Sequence, residues 1–192
     1  MLITSIVSFY SCRDQFLWFL EASPVLLGTV LLVAVYPFYI FSNLTYSLIT
    51  YSFILVLVGA HYTYGDVPLF NWLKEKFSLS RNHYDRFGHF FQGAIPAIMI
   101  REFLARADVL QKSRWFYVFI VFTCLGISAL YEIAEMAAAF FVRGATIDWF
   151  LGLQGDEWDT QEDMAMALIG AITALLTLGK IHDKSLQKIK KQ

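Results

Sequence analysis

Residues 115–142 read WFYVFIVFTCLGISALYEIAEMAAAFFV, an apolar run that is interrupted by two acids, Glu132 and Glu135. About 20 mostly apolar residues are enough to cross a bilayer as a helix, so this run predicts a membrane-spanning helix. A carboxylate is costly at membrane depth and is usually paired or functional there. The sequence therefore predicts both a membrane fold and a polar site near the end of this helix.

The composition of the whole chain supports a membrane protein. Of its 192 residues, 57% are hydrophobic and only 16% are charged, whereas a soluble domain carries about 25% charged residues. The net charge of −1 gives no basic field for nucleic acid, and phosphate-loop glycine motifs are absent from the sequence. Cys12 and Cys124 lack the spacing of a zinc–thiolate site.

The hydropathy pattern predicts an all-α, polytopic membrane helix bundle with about five transmembrane helices in a single integral membrane domain, residues 1–192. The expected spans are residues 24–41, 44–64, 85 or 87 to 104, 115–142 and 163–178. Residues 1–23 are expected to lie at the membrane interface. Residues 180–192 are expected to form a basic cytoplasmic tail.

The distribution of Lys and Arg predicts the orientation. With five spans, eight of these residues fall on the side of the C-terminus and six on the other side. Basic residues in short loops favour the cytoplasm. We therefore expect a cytoplasmic C-terminus in a bacterial inner membrane.

Polar residues gather at the helix ends that this topology assigns to the outer face. Pairs three or four residues apart share a face of a helix, so three helices can each present a polar pair to one centre. The residues concerned are His61, Asp85, His89, Glu132, Glu135, Asp159 and Asp163.

These residue types suggest hydrolytic or transfer chemistry with a divalent metal. The predicted catalytic residues are His89, Glu132, Glu135 and Asp163. The predicted metal ligands, for Mg²⁺, Mn²⁺ or Zn²⁺, are His61, His89, Glu135, Asp156, Asp159 and Asp163. The predicted substrate-binding residues, with donors for a phosphate, are Arg81, Asn82, His83, Asp85 and Gln154.

Each pair also has a structural interpretation. Asp85, Asp159 and Asp163 can cap helix N-termini, where carboxylates are favourable. His61 and His89 can be packing histidines. Glu132 and Glu135 can pair with Arg143, which is better placed for them than Arg101.

Three motifs resemble the YjdF family of bacterial inner-membrane proteins: residues 59–64 (GAHYTY), 81–86 (RNHYDR) and 154–159 (QGDEWD). The resemblance covers residues 18–179. It implies a multi-pass membrane location and no particular activity. A weaker resemblance to VanZ-like membrane proteins rests on Asp85-Arg86 before His89-Phe90, Glu132 before Glu135, and Asp163 before Gly170.

Three functions are compatible with these patterns. The first is an enzyme at the outer membrane face that acts on a lipid or lipid-linked envelope substrate; it predicts an outward-facing cavity lined by at least His89, Glu132, Glu135 and Asp163. The second is a non-catalytic structural or partner-binding protein, which predicts mutual hydrogen bonding without a cavity. The third, less favoured, is a cation- or proton-coupled transporter, which predicts a polar path to Arg101 and Glu102. Membrane lipids are the expected partners, and the oligomeric state stays open.

Overall fold

The computed structural model of the protein describes residues 2–141, 151 and 153–189. These residues form eight α-helices and contain no strand. The helices are α1 (Leu2–Phe9), α2 (Gln15–Glu21), α3 (Ser23–Val35), α4 (Asn43–Tyr62), α5 (Pro68–Phe77), α6 (Tyr84–Arg106), α7 (Arg114–Ala139) and α8 (Asp159–Ile189). The predicted all-α fold is confirmed.

Three helices, α4, α7 and α8, are each long and apolar enough to cross a membrane. The pair α2 and α3, bent by 47° at its break, adds a fourth span if it crosses as one unit. The third predicted span, which corresponds to α6, is not among the candidate spans of the described residues. The prediction of about five spans is therefore approximate.

Helix α6 is the centre of the bundle. Its main neighbour is α8, and α4 and α7 also pack against it. Because other helices cover it, its surface can carry polar side chains, and Arg101 and Glu102 are 2% and 0% exposed. With 23 residues it is about 35 Å long at about 1.5 Å per residue.

The helix bounds differ most from the predicted spans in α3, α7 and α8. Helix α3 ends at Val35 rather than at residue 41, because Pro37 has no amide N–H to continue the helical hydrogen bonds. Helix α8 begins four residues earlier than predicted and runs through much of the predicted tail, to Ile189. Helix α7 ends at Ala139, and Val142 lies outside the described residues.

The N-terminal helices pack on α4. The Trp18 indole N–H donates to Ser8 Oγ at 2.8 Å, and Ser8 Oγ donates to the Leu57 carbonyl at 2.6 Å. Trp18, Ala22 and Val25 join Leu57 and Ala60 in one buried apolar cluster. Residues 1–23 remain predicted to be interfacial, with α1 and α2 fixed to the bundle.

Glycines let α6 and α8 touch backbone to backbone. A Cβ added at Gly93 would overlap the carbonyl oxygen of Ala167, and a Cβ at Gly170 would overlap that of Phe90. Small residues allow such close approach in membrane helices. This contact fixes the two helices side by side, with both N-termini at one end of the bundle. We call that end the site end and the other the opposite end.

Candidate functional site

The site is built around His89, one helical turn into α6. Its Nε2 lies 3.6 Å from Asp85 Oδ1 and 4.0 Å from Asp163 Oδ2. One ligand atom from each residue lies within 4.8 Å of the others, a grouping that can hold a metal ion. We call these three residues the Asp-His-Asp group. The close contact of α6 with α8 brings Asp163 to His89.

Gln92 sets the tautomer of His89. The Gln92 amide oxygen lies 2.8 Å from His89 Nδ1 and also accepts from Ser128 Oγ at 3.4 Å. Because an amide oxygen only accepts hydrogen bonds, Nδ1 carries the imidazole proton. In a neutral imidazole of this tautomer, the lone pair on Nε2 would face Asp85 and Asp163, the arrangement that metal-binding histidines adopt.

Two carboxylate oxygens beside His89 are buried without a hydrogen-bond partner among the described residues. They are Asp163 Oδ1 and Glu132 Oε1. Glu132 Oε1 lies 3.6 Å from His89 Nδ1. Asp163 is only 2% exposed. Buried polar atoms are nearly always paired, so these oxygens point to a partner that the described residues do not supply, and a bound cation is one such partner.

A cavity of about 450 Å³ opens at the Asp-His-Asp group. Helices α3, α4, α6 and α7 form its walls, which are almost entirely apolar. Asp85 and His89 line it, together with Gln92 and two tyrosines, Tyr64 and Tyr131. Of the four predicted catalytic residues, His89 lines the cavity, whereas Glu132, Glu135 and Asp163 are not among its described lining residues. Ligand pockets commonly have about 300–1,000 Å³, so the cavity is large enough for a small molecule or a lipid chain.

A tight turn after α4 places Tyr64 at the mouth of the cavity. Thr63 and Tyr64 both have positive φ, 53° and 47°. The Tyr64 amide donates to the Gly59 carbonyl at 2.9 Å, and the ring lies so close to Gly59 that a Cβ there would overlap it. The motif at residues 59–64 thus folds a tyrosine back over its own helix.

Two arginines clamp the start of α8. Arg81 forms a salt bridge with Asp159, and Arg86 forms salt bridges with Asp156 and Glu162. Arg81 and Asp159 are each 2% exposed. These carboxylates are therefore paired with arginine and lie outside the Asp-His-Asp group. The sequence alone assigned Asp156 and Asp159 to a metal.

Other predicted substrate-binding residues join the same clamp. The backbone N–H of Asn82 donates to Gln154 Oε1, and Gln154 Nε2 donates back to the backbone carbonyl of Asn82, both at 2.9 Å. His83 Nδ1 lies 3.3 Å from Arg86. Burial, and then the charges of Arg86 and Arg81, lower the pKa of His83 below its ordinary value, so its imidazole is neutral at neutral pH. These residues fix the two loops that lead into α6 and α8.

Neither His61 nor Glu135 is a member of the Asp-His-Asp group, although Glu135 lies near enough to Asp85 and Asp163 for their charges to act on it. The His61 Nδ1 donates to the Ser8 carbonyl at 2.7 Å and thereby ties α4 to α1. Glu135 is hydrogen-bonded to Tyr131, one turn earlier on α7. Arg143, the predicted partner of Glu132 and Glu135, lies outside the described residues.

Glu21 is a buried acid that sequence reasoning missed. It is 5% exposed, and neither carboxylate oxygen has a hydrogen-bond partner among the described residues. It ends α2, one turn before Pro24 and Val25 of the cavity wall, and Asp85 lies near enough for their charges to interact. The sequence signal that could have revealed Glu21 is its position just before an apolar helix that has a proline, Pro24, in its first turn.

A second polar network, also missed, lies at the opposite end. The Glu102 carboxylate accepts from Ser42 N at 2.7 Å, Thr45 Oγ1 at 2.6 Å, Arg106 at 2.9 Å and His182 Nε2 at 3.1 Å. Arg101 donates to His182 Nδ1 at 2.9 Å. Both imidazole nitrogens and both carboxylate oxygens are thus paired. We call this network the Glu102 clamp; it joins α4, α6 and α8.

The two ends of the bundle differ in how well their buried polar atoms are paired by other protein groups. In the Glu102 clamp, both carboxylate oxygens and both imidazole nitrogens have protein partners, and only Arg101 Nε is left without one among the described residues. At the site end, oxygens of Glu21, Glu132 and Asp163 are left without protein donors in the described chain. The site end therefore has the properties of a cation-binding site, and the opposite end those of a structural clamp.

Comparison with known proteins assigns the family. The chain belongs to the family described as "Predicted membrane protein (DUF2238)", whose profile matches residues 1–184. It is 40% identical over 178 residues to "Inner membrane protein YjdF" of Escherichia coli strain K12, which covers 93% of this chain and 85% of that protein. No solved structure matches the chain. The resemblance to the YjdF family is confirmed, and the weaker one to VanZ-like proteins stays a prediction.

Proposed function

We propose that this member of the DUF2238 membrane-protein family is a metal-dependent hydrolase or transferase that acts on a lipid or lipid-linked envelope substrate. The observation that carries the proposal is the Asp-His-Asp group, with its three ligand atoms within 4.8 Å of one another and a buried Asp163 oxygen that has no hydrogen-bond partner among the described residues. Oxygen and imidazole ligands without thiolate suit Mg²⁺, Mn²⁺ or Zn²⁺.

The residues have distinct roles in this proposal. Asp85, His89 and Asp163 hold the ion, and Gln92 keeps the His89 ring in its binding tautomer. A bound divalent ion would polarise a phosphoryl or carbonyl oxygen and lower the pKa of water. Glu132 lies beside His89 and is the best-placed group to accept a proton. The apolar cavity limits the access of bulk water to this end.

The cavity supports an enzyme over the two other functions. A purely structural network would pair its own charges, as the Glu102 clamp does. A transport route would need polar groups along the bundle, but Ser52 is the one polar side chain in the described cavity wall between the site end and residues near the opposite end, Val35 and Met99. Partners other than membrane lipids are not needed for this activity.

Metal binding is the first test. Purified protein should bind Mn²⁺ in a calorimetric titration, and His89→Ala should abolish detectable binding because it removes the central ligand. Gln92→Leu removes the partner of His89 Nδ1, and such changes typically weaken metal binding about 10–100-fold. His61→Ala is the matched control, since His61 hydrogen-bonds Ser8 away from the group, and it should bind Mn²⁺ like the unaltered protein.

Two results would contradict the metal site: no Mn²⁺ binding by the unaltered protein, or equal binding by His89→Ala. The enzymatic part is tested by incubating the protein with a bacterial lipid extract and comparing products by mass spectrometry. A Mn²⁺-dependent product that EDTA and His89→Ala both eliminate is expected. If Mn²⁺ binds and no lipid changes, the catalytic assignment fails while the metal site stands.

The proposed orientation places the site end outside the cytoplasm and the C-terminus inside. A green fluorescent protein fused at the C-terminus should therefore fluoresce, and alkaline phosphatase at the same position should be inactive. Alkaline phosphatase inserted after Glu75 in α5, which follows the site end of α4, should be active. The reverse pattern would overturn the orientation and leave the metal site untouched.

A further inference from the structure

We infer that the cavity holds one long hydrocarbon chain whose phosphate head meets the cation of the Asp-His-Asp group, which makes a phosphorylated lipid the substrate class. This inference rests on the proposed function and deepens it. The Asp-His-Asp group could bind a metal ion without any lipid in the cavity, so experiments can test metal binding and lipid binding separately.

The shape of the cavity fits a chain. Its wall extends along α6 from Asp85 to Met99 and includes Phe41 beyond the end of α3. Fourteen residues of helix rise about 21 Å. One leaflet of hydrocarbon is about 15 Å deep, half of a core of about 30 Å. The cavity can therefore follow a lipid chain from head to tail.

The chemistry of the wall changes along this length. Tyr64, Asp85 and His89 lie at the site end, and Gln92 lies one turn further along α6. Beyond them the described wall is apolar except for Ser52. An amphiphile with one polar head and an apolar tail matches this gradient, because burying its tail here removes apolar surface from water.

The cavity is continuous with the lipid-facing surface of α3. Leu31 lines the cavity and is nevertheless 63% exposed, and its neighbour Leu32 is half-buried in the same wall. A chain can thus enter sideways from the bilayer without crossing water. This route favours a membrane lipid over a water-soluble phosphate ester.

A cation bound to the carboxylates at the site end would attract the phosphate head of a lipid. Asp85, Asp163 and Glu132 would repel an anionic head by themselves. An ion held by three protein ligands keeps positions free, and Mg²⁺ in proteins commonly completes its coordination with substrate phosphate oxygens. The alternative head is an ammonium group that binds the carboxylates directly, without metal.

Hexadecyl phosphate and hexadecylamine distinguish these two heads. We expect native mass spectrometry of the delipidated protein to detect one bound hexadecyl phosphate when Mn²⁺ is present and to lose it when EDTA is added. Hexadecylamine should not bind in EDTA. Butyl phosphate, with the same head and a short chain, should bind at least about tenfold more weakly, because it leaves most of the cavity empty.

Matched tryptophan variants test the position of the chain. Leu32→Trp and Met99→Trp fill the cavity wall and should reduce hexadecyl phosphate binding about tenfold or more while Mn²⁺ binding is retained. Val33→Trp is the control, since Val33 is 70% exposed and lies outside the described cavity lining; it should bind normally. A melting curve for each variant verifies that it is folded.

Three results would overturn the inference. The first is Mn²⁺ binding without added binding of hexadecyl phosphate. The second is chain binding that Leu32→Trp and Met99→Trp leave unchanged although both are folded. The third is tight binding of hexadecylamine in EDTA, which would assign an ammonium head instead. Failure to bind Mn²⁺ in the absence of lipid would instead refute the proposed metal site, and with it the phosphate head.

Discussion

Gly93→Ala and Gly170→Ala are each expected to destabilise the folded protein strongly, by more than the change of one methyl group suggests. The added Cβ would overlap a backbone carbonyl oxygen, that of Ala167 or Phe90. Overpacking against side chains costs about 1–3 kcal/mol, and a helix backbone yields less easily than a side chain. We therefore expect each variant to lose at least about 3 kcal/mol of unfolding free energy. The loss should appear as a lower melting midpoint in detergent.

The controls for this prediction are two other helical glycines. At Gly126 and Gly179, an added Cβ meets no atom of the described chain within 4 Å. Alanine is the better helix former by about 1 kcal/mol, so Gly126→Ala and Gly179→Ala should melt at or above the normal temperature. If Gly170→Ala also melts normally, the close α6–α8 contact is not the feature that positions Asp163 beside His89.

Glu102→Gln is expected to have the second large effect. The carboxylate accepts hydrogen bonds from four groups and is fully buried. A glutamine keeps the shape but points an N–H₂ group at donors and leaves the charge of Arg106 unpaired. Breaking a buried ion pair from one side costs about 3–5 kcal/mol, so chemical denaturation should show a loss of that size.

Glu75→Gln provides the matched control, because Glu75 is exposed on α5 and should lose almost nothing. Mn²⁺ binding offers a second readout. At temperatures where Glu102→Gln is still folded, its Mn²⁺ affinity should be normal, since the Glu102 clamp lies at the opposite end. A stable Glu102→Gln protein with weakened Mn²⁺ binding would contradict the division between a clamp and a ligand site.

The helical membrane fold could be predicted from the sequence because apolar length is a local property. The run at residues 115–142 and its two glutamates needed no tertiary information. The spacing of Asp85 with His89, and the start of α8 near Asp163, also placed these residues at one end of the bundle. The sequence did not reveal which of the acidic residues lie beside His89 and which pair with arginine.

That choice depends on contacts between distant residues. Asp159 pairs with Arg81, 78 residues earlier, and so lies outside the Asp-His-Asp group. Glu102 and His182 are 80 residues apart, one in the third predicted span and the other in the predicted basic tail. Asp85, assigned to substrate from the sequence, shares the metal-type grouping instead. No local pattern distinguishes a carboxylate that will meet arginine from one that will meet only another acid.

The parallel direction of α6 and α8 has an electrostatic consequence. Each helix N-terminus carries the equivalent of about half a positive charge, which fades within one turn. Asp85 lies in the first turn of α6 and is within reach of this partial charge. Asp163 begins the second turn of α8, and Glu132 lies in the second half of α7, toward its negative pole. The helix N-termini therefore favour the charged form of Asp85 more than that of Asp163 or Glu132.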